Sequence, residues 1–246
     1  MYLKLLILIV AVLQVVAAGV LSLNTFEEST RAFPVYIQPA GWAFSIWGLI
    51  YLLSFVYAVY QLIPKNDNAL LQKTRMPAVI GFAGSIVWLY FAGATDWQIW
   101  LTVPTLMLMA FFFTVVIRAK GDTASPRQTF FSQSILFPYA AWTGIAFWLN
   151  VQTVMISEGL VTSSLVNVLS NAALLVGIIL FTAYYFKKSN YSWWYGGVLV
   201  WASIGVIVAN LNNGSLLFGA ATGLYGATVA GVLLWRQITH PLPIIR

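Results

Sequence analysis

Cysteine is absent from the 246 residues, and histidine occurs once, as His240. The first absence removes any disulfide framework, thiolate metal site or cysteine nucleophile. The second leaves no imidazole within an apolar segment to ligate haem iron, and no His-Glu-x-x-His spacing for a catalytic metal. Charge is almost as scarce: Asp, Glu, Lys and Arg make up 7% of the chain, against roughly 25% in soluble domains. So few charges cannot cover a water-facing surface. What the chain has instead is 61% hydrophobic residues and a mean hydropathy of +0.86. A bilayer supplies the matching apolar solvent, and in it every backbone amide must be paired inside a helix or a closed barrel. The apolar runs are continuous rather than alternating, which selects helices over barrel strands. The net charge of +6 is small for a nucleic-acid binder, and no nucleic-acid partner is expected.

Eight apolar segments can be drawn, at roughly 5–23, 41–62, 77–92, 97–117, 132–149, 163–186, 193–209 and 216–235. Each is long enough, or nearly so, to cross about 30 Å of hydrocarbon at about 1.5 Å per residue. The third and seventh are short. Eleven of the twelve basic residues fall at segment ends or in connections on one side: Lys4, Lys65, Lys73, Arg75, Arg118, Lys120, Arg127, Lys187, Lys188, Arg236 and Arg246. Only Arg31 falls on the other side, with the acids Glu27, Glu28, Asp96 and Glu158. The positive-inside rule then places both termini in the cytoplasm. The expected molecule is an all-α, polytopic helical bundle of about eight spans, in a bacterial plasma (inner) membrane. The first segment has a second reading: Lys4, an apolar run and Ala17-Ala18-Gly19 are arranged as in a signal peptide. The connection from Asn24 to Ala40, with Pro34 and Pro39, reads either as a lid over the bundle mouth or as an ordinary solvated loop.

No Asp, Glu, Lys, Arg or His lies inside the eight drawn segments. Ion pumps, proton-coupled transporters and intramembrane hydrolases generally need such groups at depth, and a retinal protein needs a lysine there. Acid–base and metal catalysis are therefore not expected. Aromatic side chains are abundant at 16%, with eleven tryptophans. Trp97, Trp100, Trp193, Trp194 and Trp235 sit near segment ends, where indoles favour the headgroup level. Two clusters fit such belts less well. In the first, Pro39 and Gly41 open a run with Trp42, Phe44, Trp47 and Tyr51, and helical spacing puts Phe44, Trp47 and Tyr51 on one face. In the second, Tyr139, Trp142, Ala146 and Asn150 share a face. That stripe could pack on a neighbouring helix through its small residues, or present a slot for a planar apolar molecule oriented by Asn150.

At these clusters the chain resembles the TspO/MBR family, also called tryptophan-rich sensory proteins, translocator proteins or peripheral-type benzodiazepine receptors. Pro39, Trp42, Phe44, Trp47 and Tyr51 resemble the pattern opening the second family helix. Pro138, Tyr139, Trp142, Leu149 and Asn150 match that of the fifth in order and spacing. The family's double proline is Gln38-Pro39 here, and the interval from Phe44 to Trp47 is one residue short. Ser85 stands three residues before Trp88 where the family's third helix has Asn, and no further Asn follows Asn150 among 151–157. The resemblance covers about residues 1–155, leaving three additional spans over 156–246.

The resemblance implies a five-helix bundle, often a dimer, that binds porphyrins, sterol-like lipids or related hydrophobic molecules beneath a lid-like first loop. By position, Trp42, Phe44, Trp47, Tyr51, Tyr139, Trp142, Ala146 and Asn150 would line or support the pocket. Arg31 could pair with porphyrin propionates at its mouth. A bound porphyrin is thus an expected ligand, and no obligatory cofactor is implied. The leading reading is a membrane receptor, sensor or carrier for a flat hydrophobic ligand. An enzyme that modifies or photodegrades its porphyrin through the tryptophans is an alternative. So is a scaffold that uses Asn167, Asn171, Asn210, Asn212 and Asn213 of the added spans for interhelical contact. Leu180, Tyr184 and Lys187 also form a weak sterol-contact pattern.

Overall fold

A computed structural model of the chain describes residues 2–21, 33–92, 97–121, 124–213 and 215–239. Its long helices are α1 (Tyr2–Leu21), α2 (Ile46–Leu62), α3 (Ala69–Ala92), α4 (Thr102–Arg118), α6 (Phe137–Ser157), α7 (Ser164–Lys188), α8 (Trp193–Asn213) and α9 (Leu216–Thr239), with a short α5 (Pro126–Ser132) before α6. Eight helical segments among the described residues are long and apolar enough to cross a membrane, so the chain is a polytopic α-helical membrane protein. Arg31 lies outside the described residues.

Local chemistry sets the helix starts. Asn68 Oδ1 accepts from Leu71 N (2.8 Å) at the head of α3, and Ser163 Oγ from Val166 N (3.3 Å) at the head of α7. Ser125 and Gln128 form a reciprocal capping box ahead of α5, where Pro126 occupies a position that needs no amide hydrogen. The last carbonyls of α4 are closed by a side chain from elsewhere. The buried Gln133 amide donates to the Val116, Ile117 and Ala119 oxygens at 2.7, 3.2 and 2.9 Å.

The third span departs from its sequence outline. It begins at Ala69 rather than Pro77, so Lys73 and Arg75 lie in its first turns and Pro77 lies inside the helix. The basic residues suggested a connection, but each finds a partner. Arg75 is 8% exposed, and its Nη2 meets Asp67 Oδ1 at 2.9 Å while its Nε donates to Gln61 Oε1 at 3.2 Å. Lys73 Nζ donates to the Lys120 oxygen at 2.8 Å. Nor is the seventh span short, since α8 has 21 residues.

These contacts gather the basic connections at one end of the bundle. Lys4 Nζ lies 3.0 Å from Asp67 Oδ2. Arg118 donates to the Tyr184 hydroxyl (3.2 Å), and Arg236 to the Asn190 carbonyl (2.9 Å) in a turn where Asn190 and Tyr191 both adopt positive φ. In the middle, α6 is buried along most of its length and packs on α4, α7 and α8. Small residues permit this closeness. A Cβ at Gly144 would sit 2.6 Å from the Phe181 ring, and one at Gly177 would sit 2.7 Å from the Trp148 ring.

At the opposite end, residues 33–40 run between helices rather than over them. Asn167 Nδ2 donates to the Pro34 oxygen (3.0 Å), Ile37 N to Asn171 Oδ1 (3.3 Å) and Asn210 Nδ2 to the Tyr36 oxygen (2.7 Å). Tyr36 stacks on Phe218 of α9 at 5.0 Å, and Val35 and Ile37 are buried. Ala40 N donates to the Gly205 carbonyl at 3.0 Å, midway along α8. Asn167, Asn171 and Asn210 thus each direct one amide group to this segment, while Asn171 Nδ2 donates to Asn167 (2.9 and 3.0 Å) and Asn167 also accepts from Gln152 (3.1 Å). Leaving those backbone groups unpaired in an apolar setting would cost several kcal/mol.

Candidate functional site

Gly41–Ser45 form a turn of 3-10 helix before α2. Its tighter winding of about three residues per turn takes Phe44 out of the α-helical register with Trp47 and Tyr51 expected from the sequence. The aromatic residues therefore divide into neighbouring groups. Trp42 is 44% exposed and meets Trp201 of α8 edge-on, with centroids 4.9 Å apart. Phe44 meets Trp142 edge-on at 5.6 Å. Trp47 and Tyr51, one turn apart, stack at 5.4 Å, and Trp47 also stacks on Trp88 at 5.4 Å and meets Tyr139 edge-on at 5.8 Å. The two motif helices do bring their rings together, as a packed aromatic cluster.

Tyr139 points into the bundle centre. Its ring stacks on Phe113 (4.5 Å) and Phe82 (5.6 Å), and its hydroxyl donates to Gln14 Oε1 (3.0 Å). The Tyr51 and Ser85 hydroxyls lie 3.3 Å apart. Asn150 is committed inside the protein: Oδ1 accepts from the Trp88 indole (3.3 Å), and Nδ2 donates to the Ala146 carbonyl (2.9 Å). Ala146 is buried at 4% exposure, one turn beyond Trp142. Asn150 of α6 thus serves Trp88 of α3 across the bundle.

Two indoles of this cluster differ from the rest. Trp142 is 1% exposed and Trp47 is 9% exposed, and neither Nε1 has a hydrogen-bond acceptor among the described residues. Trp88 and Trp201 do have one, the latter in the Ala43 carbonyl at 2.8 Å. A buried donor left unmet costs about 1–3 kcal/mol, so the two bare N–H groups mark where an acceptor would be welcomed.

Sequence reasoning did not pick out Gln14, Phe82, Ser85, Trp88 or Phe113 as site residues, although all stand in or against the cluster. Two signals were available: Gln14 is the lone amide in an otherwise apolar segment, and Ser85 with Trp88 stands where the third family helix has its Asn-x-x-Trp pattern. The aromatic wall supplied by α8 was also missed, because Trp193 and Trp194 read as an interface belt. A cavity of about 340 Å³ opens between the start of α2, the start of α6 and α8, against Leu49, Pro138, Trp193, Trp194, Gly197 and Trp201. Ser45 is the only hydroxyl-bearing residue on its wall.

The family model described as TSPO-like protein matches residues 1–234. The match continues past residue 155 through α8 and most of α9. No curated protein and no solved structure matches the chain.

Proposed function

Because the chain belongs to the TSPO-like protein family, we propose that it is a membrane receptor, sensor or carrier for a flat hydrophobic ligand bearing hydrogen-bond acceptors, with a porphyrin as the leading candidate. The observation that carries this reading is the pair of buried indole donors without acceptors, Trp47 and Trp142, set in an aromatic cluster. A porphyrin or sterol-like lipid presents an apolar body with a few oxygens, which suits rings on the walls and N–H groups between them. Since Trp47 is packed between Trp88, on which it stacks, and Tyr139, which it meets edge-on, a ligand enters by rotating rings aside. By the positive-inside rule the basic end faces the cytoplasm, so the segment 33–40 and the nearby Arg31 would lie on the outer side.

The test is a porphyrin titration of the reconstituted protein followed by tryptophan quenching. Trp47→Phe and Trp142→Phe keep a ring and delete only the donor group and part of the surface. Each should weaken binding about five- to tenfold, the equivalent of about 1–1.4 kcal/mol. Affinity unchanged in both variants and in their combination would overturn the assignment.

A further inference from the structure

We infer that the cavity between α2, α6 and α8 is a second binding site, open to the bilayer, for a planar, wholly apolar molecule dissolved in the lipid. It uses neither Trp47 nor Trp142, so it stands or falls separately from the reading above. Nine residues line it, and eight of them are apolar or glycine, with Ser45 the exception. Its volume of about 340 Å³ lies at the lower end of the roughly 300–1,000 Å³ typical of small-molecule pockets. From Trp193 to Trp201 the α8 wall spans eight residues, or about 12 Å of helix.

The wall indoles argue for a flat ligand over a flexible chain. Trp201 is held by its hydrogen bond to the Ala43 carbonyl (2.8 Å) and by a T-shaped contact with Trp42 (4.9 Å, 89°), neither partner lining the cavity. Trp194 is backed by Phe130 of α5 at 5.5 Å. Rings held by contacts outside a cavity present preorganised faces to it, and stacking rewards a rigid planar partner. An acyl chain also gains dispersion contact with such walls, but it gives up rotamer freedom that a rigid planar molecule does not have to lose. The open side is bordered by Leu49 and Trp193, 45% and 41% exposed, so the approach is from lipid. Gly197, an exposed residue of the cavity lining, leaves space beside it: a Cβ built there meets no atom within 4 Å.

Pyrene serves as the probe, in phosphatidylcholine vesicles holding the full chain. Energy transfer from tryptophan to pyrene should contain a saturable component above simple partitioning. Gly197→Leu places its side chain in open space and should cut that component at least fivefold, while porphyrin affinity and thermal stability stay at wild-type values. Trp193→Leu, which removes a part-exposed ring of the wall, should reduce it as well. Transfer that rises in proportion to pyrene with no plateau would overturn the inference. So would a plateau that survives Gly197→Leu. If brominated acyl chains quench the wild type more than Gly197→Leu while pyrene distinguishes neither, the occupant is a lipid chain and the planar-ligand inference fails.

Discussion

Four indoles in or beside the candidate site share one chemistry and differ in circumstance. Trp88 and Trp201 donate to Asn150 Oδ1 and to the Ala43 carbonyl, whereas Trp47 and Trp142 find no acceptor among the described residues. Replacing any of them by Phe removes similar ring surface. The comparison therefore isolates the hydrogen bond, worth about 1 kcal/mol net. Thermal unfolding of the ligand-free protein should show Trp88→Phe and Trp201→Phe to be less stable than Trp47→Phe and Trp142→Phe. Porphyrin affinity should order the four the other way, with the last two losing most. A common ranking in both measurements would mean that the bare N–H groups have no recognition role.

At the level of elements, the segment 33–40 depends on α7 and α8. Asn171→Leu and Asn210→Leu each delete an amide that pairs with its backbone, at Ile37 and Tyr36. Either change should speed hydrogen exchange at the amides of 36–38 by at least tenfold while leaving α6 protected, as read by mass spectrometry. Exchange equal to wild type in both would show that burial of Val35 and Ile37 suffices. The same region shows how far the sequence could be read. Span number follows from long apolar runs, because backbone pairing in lipid leaves few alternatives, and eight helices of the required length are present. The start of α3 was not legible, since Arg75 in a helix looks costly until Asp67 and Gln61 are seen beside it. The 3-10 turn was illegible for a related reason. Its winding answers to Trp201 and Gly205, more than 150 residues away, and a local helical count cannot register them. Tyr139, Trp142 and Asn150 lie in an unbroken helix, and there local spacing sufficed to bring them to the cluster.

For the molecule as a whole, one carboxylate ties three helices together at the basic end. Asp67 lies between Lys4 of α1 and Arg75 of α3, just past the end of α2. Partial burial pushes its carboxyl upward, but the hydrogen bond from Lys4 and the Arg75 guanidinium outweigh that and hold it below the usual carboxylate value. A depressed acid contributes stability that is fully present above its unfolded value near 3.9 and is lost as pH falls through the folded one. The melting temperature should therefore drop between pH 5 and about pH 3 in the wild type. Asp67→Asn should start lower at pH 7 and lose less over that range. Equal slopes in the two proteins would remove Asp67 from this role.

The backbone of the chain crosses itself closely at one place, where Gly205 lies against Pro39 and Ala43. A methyl group at position 205 would sit 2.8 Å from the Pro39 Cβ and 2.9 Å from the Ala43 Cβ. Neither can rotate away, since one belongs to a ring and the other is the whole side chain. Gly205→Ala would therefore act as a wedge, prising the first turn ahead of α2 off α8 and dragging Trp42 and Phe44 along with it. One hydrogen atom at that crossing sets how the two aromatic walls are spaced.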